Sequence, residues 1–106
     1  MEQGISTADA TTWFVSRHPG AIEWARRENI QALRWVSHIV AGDIAAGDTV
    51  IGTLPVHLAA AVCARGARYL HLVIDLPEAL RGRELTPGQL CEFNARLKCY
   101  HLEERN

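Results

Sequence analysis

No run of 18 uncharged apolar residues occurs anywhere in the sequence, so nothing in it reads as a membrane-spanning helix. Met1 to Ala10 (MEQGISTADA) has neither the basic start nor the apolar centre of a secretory signal, and a cytoplasmic protein with no membrane partner is the expectation. Cysteine is scarce. Cys63, Cys91 and Cys99 are odd in number and form no CxxC pair, which indicates neither a disulfide framework nor a zinc knuckle and predicts reduced, mostly buried thiols. Positive charge is not in excess: a formal net charge of −1 argues against a protein that grips long nucleic acids, while leaving room for a small anion in one local pocket. Also missing are a P-loop, GxGxxG, HExxH, a nucleophile elbow and any cluster with metal-ligand spacing, so neither a metal nor a cofactor is predicted.

What is present is enough for one core. At 106 residues and 48% hydrophobic composition the chain suits a single domain burying roughly 60–70% of its unfolded surface. Thr11 to Ser16 (TTWFVS) is short, β-branched and aromatic, as a central strand covered on both faces would be. Pro19 then fits the first position of a helix, AIEWARREN, with Ala21, Trp24 and Ala25 on one side. Gln31 to Val40 has strand composition around Leu33, Trp35 and Val36, and AGDIAAGD signals turns. A second unit follows: strand Thr49–Gly52, turn Thr53-Leu54, Pro55 as helix opener and VHLAAAVCARG as a helix ended by Gly66. Residues 68–75 read as a strand and LPEALRGREL as a loop. Thr86 caps a third helix running to about Leu97, and KCYHLEE alternates like a last strand. The alternation predicts an α/β fold: a Rossmann-like, open, mostly parallel sheet flanked by helices in one domain over residues 11–106, with residues 1–10 a flexible extension.

Two octets share a layout. FVSRHPGA (14–21) and VIGTLPVH (50–57) each run from apolar strand residues through a small residue, Ser16 or Gly52, to two turn residues and a proline. In a parallel sheet both junctions lie at the carboxyl ends of strands, where such folds bind ligands. Both helix starts aim unpaired N–H groups and a positive dipole end at that edge, which suits phosphate. Arg17 is either an ordinary loop arginine or a bidentate phosphate clamp. His18 and His57 either cap and pack locally or move protons. Ser16 and Thr53 are local caps or phosphate ligands, and Gly20, Gly52 and Leu54 belong to the same turns. Arg81 and Arg83 flank Gly82 in a loop and are either a solvated pair or a basic lid over the edge. His71 reads as a satisfied sheet histidine. Trp13, Trp24 and Trp35 read as core rather than as stacking platforms for bases.

The strings SRHPGA and GTLPVHLAA, in that order and spacing, carry a resemblance from about Thr11 to about Leu102. TTWFVSRHPGAIEWA, GDTVIGTLPVHLAA and CARGARYLHLVIDLPEALRGREL together resemble the small type III CRISPR-associated ancillary proteins numbered sixteenth in the Csx series. The resemblance implies a CARF-like fold, a homodimer, and a ring nuclease that binds cyclic tetra-adenylate and cleaves it to linear products without metal. It further implies Arg17, His18 and His57 as catalytic residues beside ligand contacts from Ser16 and Thr53. Two rival expectations stand beside it: a sponge or sensor that binds the ring uncut, and an interaction module for other CRISPR proteins.

Overall fold

The computed structural model describes residues 10–105; residues 1–9 of the expected flexible extension lie outside that range. Five strands form one sheet: β1 (Thr12–Val15), β2 (Arg34–Val36), β3 (Thr49–Gly52), β4 (Arg68–Val73) and β5 (Arg96–Tyr100). Their order is β2-β1-β3-β4-β5. The first four run parallel, and β5 adds antiparallel to β4. Three helices connect them, α1 (Pro19–Arg27), α2 (Val56–Ala64) and α3 (Pro87–Glu92). This is the mostly parallel, Rossmann-like α/β domain that the alternating pattern predicts.

Alternation along β1 and β3 divides the core in two. Phe14 and Ile51 face α1 and α3, where they meet Ala21, Trp24, Ala25 and Leu90. Trp13, Val15 and Val50 face the other way and pack with Val62 of α2 and with Ile39 and Ile44. β1 is thus covered on both faces, as its uninterrupted apolar run requires. All three tryptophans serve packing: Trp13 and Trp24 are buried, and Trp35 stacks on Phe14 at 5.0 Å between centroids.

The helices end alike. After each comes a residue at positive φ, Asn29, Gly66 or Asn94. The next amide then reaches back to the third residue from the helix end: Ile30 to Ala25, Ala67 to Val62, Ala95 to Leu90. These are Schellman motifs, and glycine and asparagine tolerate the left-handed position they need. The last corrects the expected length of α3. Asn94 stops it, so Leu97 lies on β5 rather than on the helix. Thr86 does cap it, in a capping box with Gln89. Pro55 sits one place before α2, as its N-cap residue, with extended geometry. Of Gln31–Val40 only Arg34–Val36 is strand, and Leu33, 74% exposed, takes no part in the core. The thiols also differ from expectation. Cys63 is buried, but Cys91 and Cys99 are exposed on the outer sides of α3 and the edge strand β5.

One carboxylate anchors the amino-terminal edge of the sheet. Asp48, 4% exposed, accepts hydrogen bonds from the amides of Thr11 (2.9 Å) and Ala45 (3.0 Å) and from the Trp13 indole (3.2 Å). Burial alone would raise its pKa, but the Ala45 and Thr11 amides with the indole hold it below the usual carboxylate value. A depressed folded pKa stabilises above the unfolded value and is lost as pH falls through the folded one. Asp48→Ala, which strands three donors, is therefore expected to lower unfolding free energy by about 3 kcal/mol at neutral pH. In urea titrations the gap between wild type and variant should narrow in acid; a gap independent of pH would contradict the ionised anchor.

Candidate functional site

The strand order places a topological switch point between β1 and β3. The chain leaves β1 for β2 on one side and returns to β3 on the other, so α1 and α2 depart to opposite faces and a crevice opens at the carboxyl ends. β1 and β3 approach closely there. A Cβ on Gly52 would stand 2.6 Å from the Val15 carbonyl oxygen, so only glycine fits. The two turns that follow, Ser16-Arg17-His18 and Thr53-Leu54, are consequently neighbours.

Two recesses flank them. The α2-side groove, about 370 Å³, is lined by Ser16, Arg17, His18, His38, Thr53 and Leu54 among others. The α1-side pocket, about 210 Å³, shares Val15, Ser16, His18 and Thr53 with it and continues over apolar side chains to Arg83 and Glu84. Ser16 Oγ accepts the His18 amide at 3.1 Å, the local turn that folds SRH back on itself, while the Ser16 amide donates to Val36 across β1–β2. The His18 carbonyl accepts the amides of Ala21 and Ile22, so His18 is the N-cap residue of α1 and its ring is exposed. Arg17 is exposed at the same turn and makes no ion pair among the described residues.

The remaining candidates divide. Arg83 lines the pocket, whereas Arg81, exposed in the same loop, borders neither recess. Gly20 has a packing reason for being glycine, because a Cβ there would strike the Leu85 carbonyl. His57 is not gathered with the others: it borders a separate groove with Ala60, Ala64 and the tail from His101 to Glu104. The amide of Leu54 is already used, donating to the Tyr69 hydroxyl at 2.9 Å. No three His, Cys, Asp or Glu side chains converge as metal ligands among the described residues.

Two contributors carried no sequence motif. His38 enters the groove because β2 ends at the same edge as β1: Val36 pairs with Val15 in register, so Ser37-His38 follows β2 as Ser16-Arg17 follows β1. The repeated Val-Ser after a Trp-containing strand was the available signal. The second is Tyr69, 2% exposed. Its hydroxyl lies 2.9 Å from the Leu54 nitrogen, 3.1 Å from the Gly52 carbonyl oxygen and 2.6 Å from His71 Nδ1. A phenol has one proton and two lone pairs. All three contacts are satisfied only if Tyr69 donates to Gly52 and accepts from both the Leu54 amide and an Nδ1–H on His71. That fixes the His71 tautomer, and burial lowers its pKa, favouring the neutral ring. Tyr69 therefore ties down the residues before and after Thr53.

Residues 13–103 match the Cas_VVA1548 family, described as "Putative CRISPR-associated protein". The chain belongs to this family. The matched span contains both junctions, both recesses and nearly the whole sheet, so the CRISPR association attaches to the domain as a unit. No curated protein and no solved structure matches the chain. Among the described residues of this CRISPR-associated protein, no helix is long and apolar enough to cross a membrane.

Tyr69→Phe keeps the ring and strands the Leu54 amide, the Gly52 carbonyl and His71 Nδ1. The expected loss is about 2 kcal/mol, read by urea denaturation, with faster hydrogen exchange confined to the Leu54 amide and its neighbours. Unchanged exchange at Leu54 would show that the hydroxyl does not hold the turn.

Proposed function

We propose that this CRISPR-associated protein is a ring nuclease that binds cyclic tetra-adenylate at the β1–β3 switch point and cuts it to linear oligoadenylates. The observation that carries the reading is the convergence of Ser16, Arg17, His18 and Thr53 on one groove. These residues come from the two strings, SRHPGA and GTLPVHLAA, on which the resemblance to the ring nuclease family rests. Anion recognition follows from the same geometry: an exposed guanidinium beside helix starts that carry no acidic residue in their first turns.

In the reaction the ribose 2′-oxygen bonds to the adjacent phosphorus, the bond from phosphorus to the 5′-oxygen breaks, and a 2′,3′-cyclic phosphate remains. The groove contributes by holding attacker, phosphorus and leaving oxygen in line. Arg17 offsets the charge that builds on the phosphorane oxygens. His18 takes the 2′-hydroxyl proton or supplies one to the leaving 5′-oxygen, and His38, in the same groove, is the second ring available for that exchange. His57 lies outside the groove of its own chain, so it enters this chemistry only when a second copy delivers it. A homodimer fits the ligand, since a ring of four like nucleotides presents equivalent halves to two identical sites.

Incubating the protein with cyclic tetra-adenylate in the presence of EDTA is expected to yield linear products with 2′,3′-cyclic phosphate ends. His18→Ala should lower turnover by about 100- to 10,000-fold, and Arg17→Ala should depress it as well. Binding without products would make the protein a sponge or sensor. Absence of calorimetric heat with any cyclic oligoadenylate would make it an interaction module.

A further inference from the structure

The α1-side pocket is lined by different side chains from the groove it adjoins. Five apolar side chains, Phe14, Leu72, Ile74, Leu85 and Leu90, line it together with the polar Ser16, His18, Thr53, Arg83 and Glu84. At about 210 Å³ it is smaller than the roughly 300 Å³ at which sites for drug-sized ligands begin. That size and the five apolar side chains suit one flat ring system; a sugar or a phosphate set against those side chains would leave polar atoms without partners. The tryptophans are committed to the core, so they do not supply this recognition.

We infer that this pocket is a nucleobase site that holds a purine ring, read at its edge by Glu84 and Arg83, while the attached ribose phosphate lies in the α2-side groove. Ser16, His18 and Thr53 border both recesses, so a nucleotide crosses from one to the other over the β1–α1 turn. Glu84 and Arg83 are exposed at the pocket and form no ion pair among the described residues. A carboxylate accepts from an exocyclic amino group and a guanidinium donates to a ring nitrogen, the complementary pair that an adenine edge presents. Only the natural identity of the ligand rests on the function proposed above; the pocket's preference for a base over a sugar phosphate does not.

The test is a methyl and amide NMR titration of the full chain, separately with adenosine 5′-monophosphate, inosine 5′-monophosphate and ribose 5-phosphate. The adenylate is expected to shift the methyls of Leu72, Ile74, Leu85 and Leu90 together with the amides of Arg17 and Thr53. Ribose 5-phosphate should move the amides alone. Inosinate, which lacks the amino group, should bind about tenfold more weakly than adenylate, and Glu84→Ala should abolish that preference while leaving the groove amides responsive to ribose 5-phosphate. Pocket methyls unmoved by millimolar adenylate, or moved equally by the sugar phosphate, would overturn the base site. Adenylate in the pocket without turnover of the cyclic tetra-adenylate would retain the base site and remove the ring nuclease. Turnover with silent pocket methyls would do the reverse.

Discussion

The closeness of β1 and β3 at their carboxyl ends is the constraint from which the candidate site follows. With no side chain at Gly52, the Val15 carbonyl oxygen lies only 2.6 Å from where a Cβ would be, and the turns after the two strands share one edge. The strand order sends α1 and α2 to opposite faces from that point. A groove and a pocket on either side of the Ser16 and Thr53 turns are the geometric result, and the functional side chains need no long-range network to converge.

Buried polar groups hold the sheet at both ends. At the amino-terminal edge Asp48 joins the approach to β1, the turn before β3 and Trp13 through three hydrogen bonds. At the carboxyl edge the Tyr69 hydroxyl bridges Gly52 and Leu54. Each would be expensive to bury without its partners, and each is fully partnered, so they fix position as well as adding stability. Arg17 and His18, by contrast, are exposed on a turn held by one serine hydroxyl. A stiff frame under an accessible guanidinium and an accessible imidazole suits the reading proposed above, in which a polyanion is positioned before it is cut.

Much of this was legible because the signals were local. Pro19, the Thr53-Leu54 turn, Gly66 and Thr86 each mark a boundary through their own backbone preferences, and the structure places those boundaries where the residue chemistry puts them. What was not legible depends on rotation or on partners distant in sequence. His57 lies on the first turn of α2, but Leu58, one residue on, faces the groove while His57 faces the tail, a difference of one helical step. Asn94 ended α3 through a left-handed residue that an apolar count over Cys91–Leu97 does not register. The Tyr69 hydroxyl reaches across 15 and 17 positions to its backbone partners, which no window along the chain contains.

The size of the two recesses bears on how many copies of the chain act together. On the base site inferred above, one groove and one adjoining pocket would take about one nucleotide, its ring in the pocket and its sugar phosphate in the groove. A cyclic tetra-adenylate carries four bases and four phosphates. On the proposed reading a single chain would therefore leave most of the ring in water and would hold the reacting phosphodiester from one side only. On the same reading, two copies related by a two-fold axis would engage opposite nucleotides at once, and the second engagement would become intramolecular, which raises affinity with no new type of contact. On that reading the same axis would be a route by which His57, which borders a separate groove in its own chain, reaches the chemistry of a neighbour's.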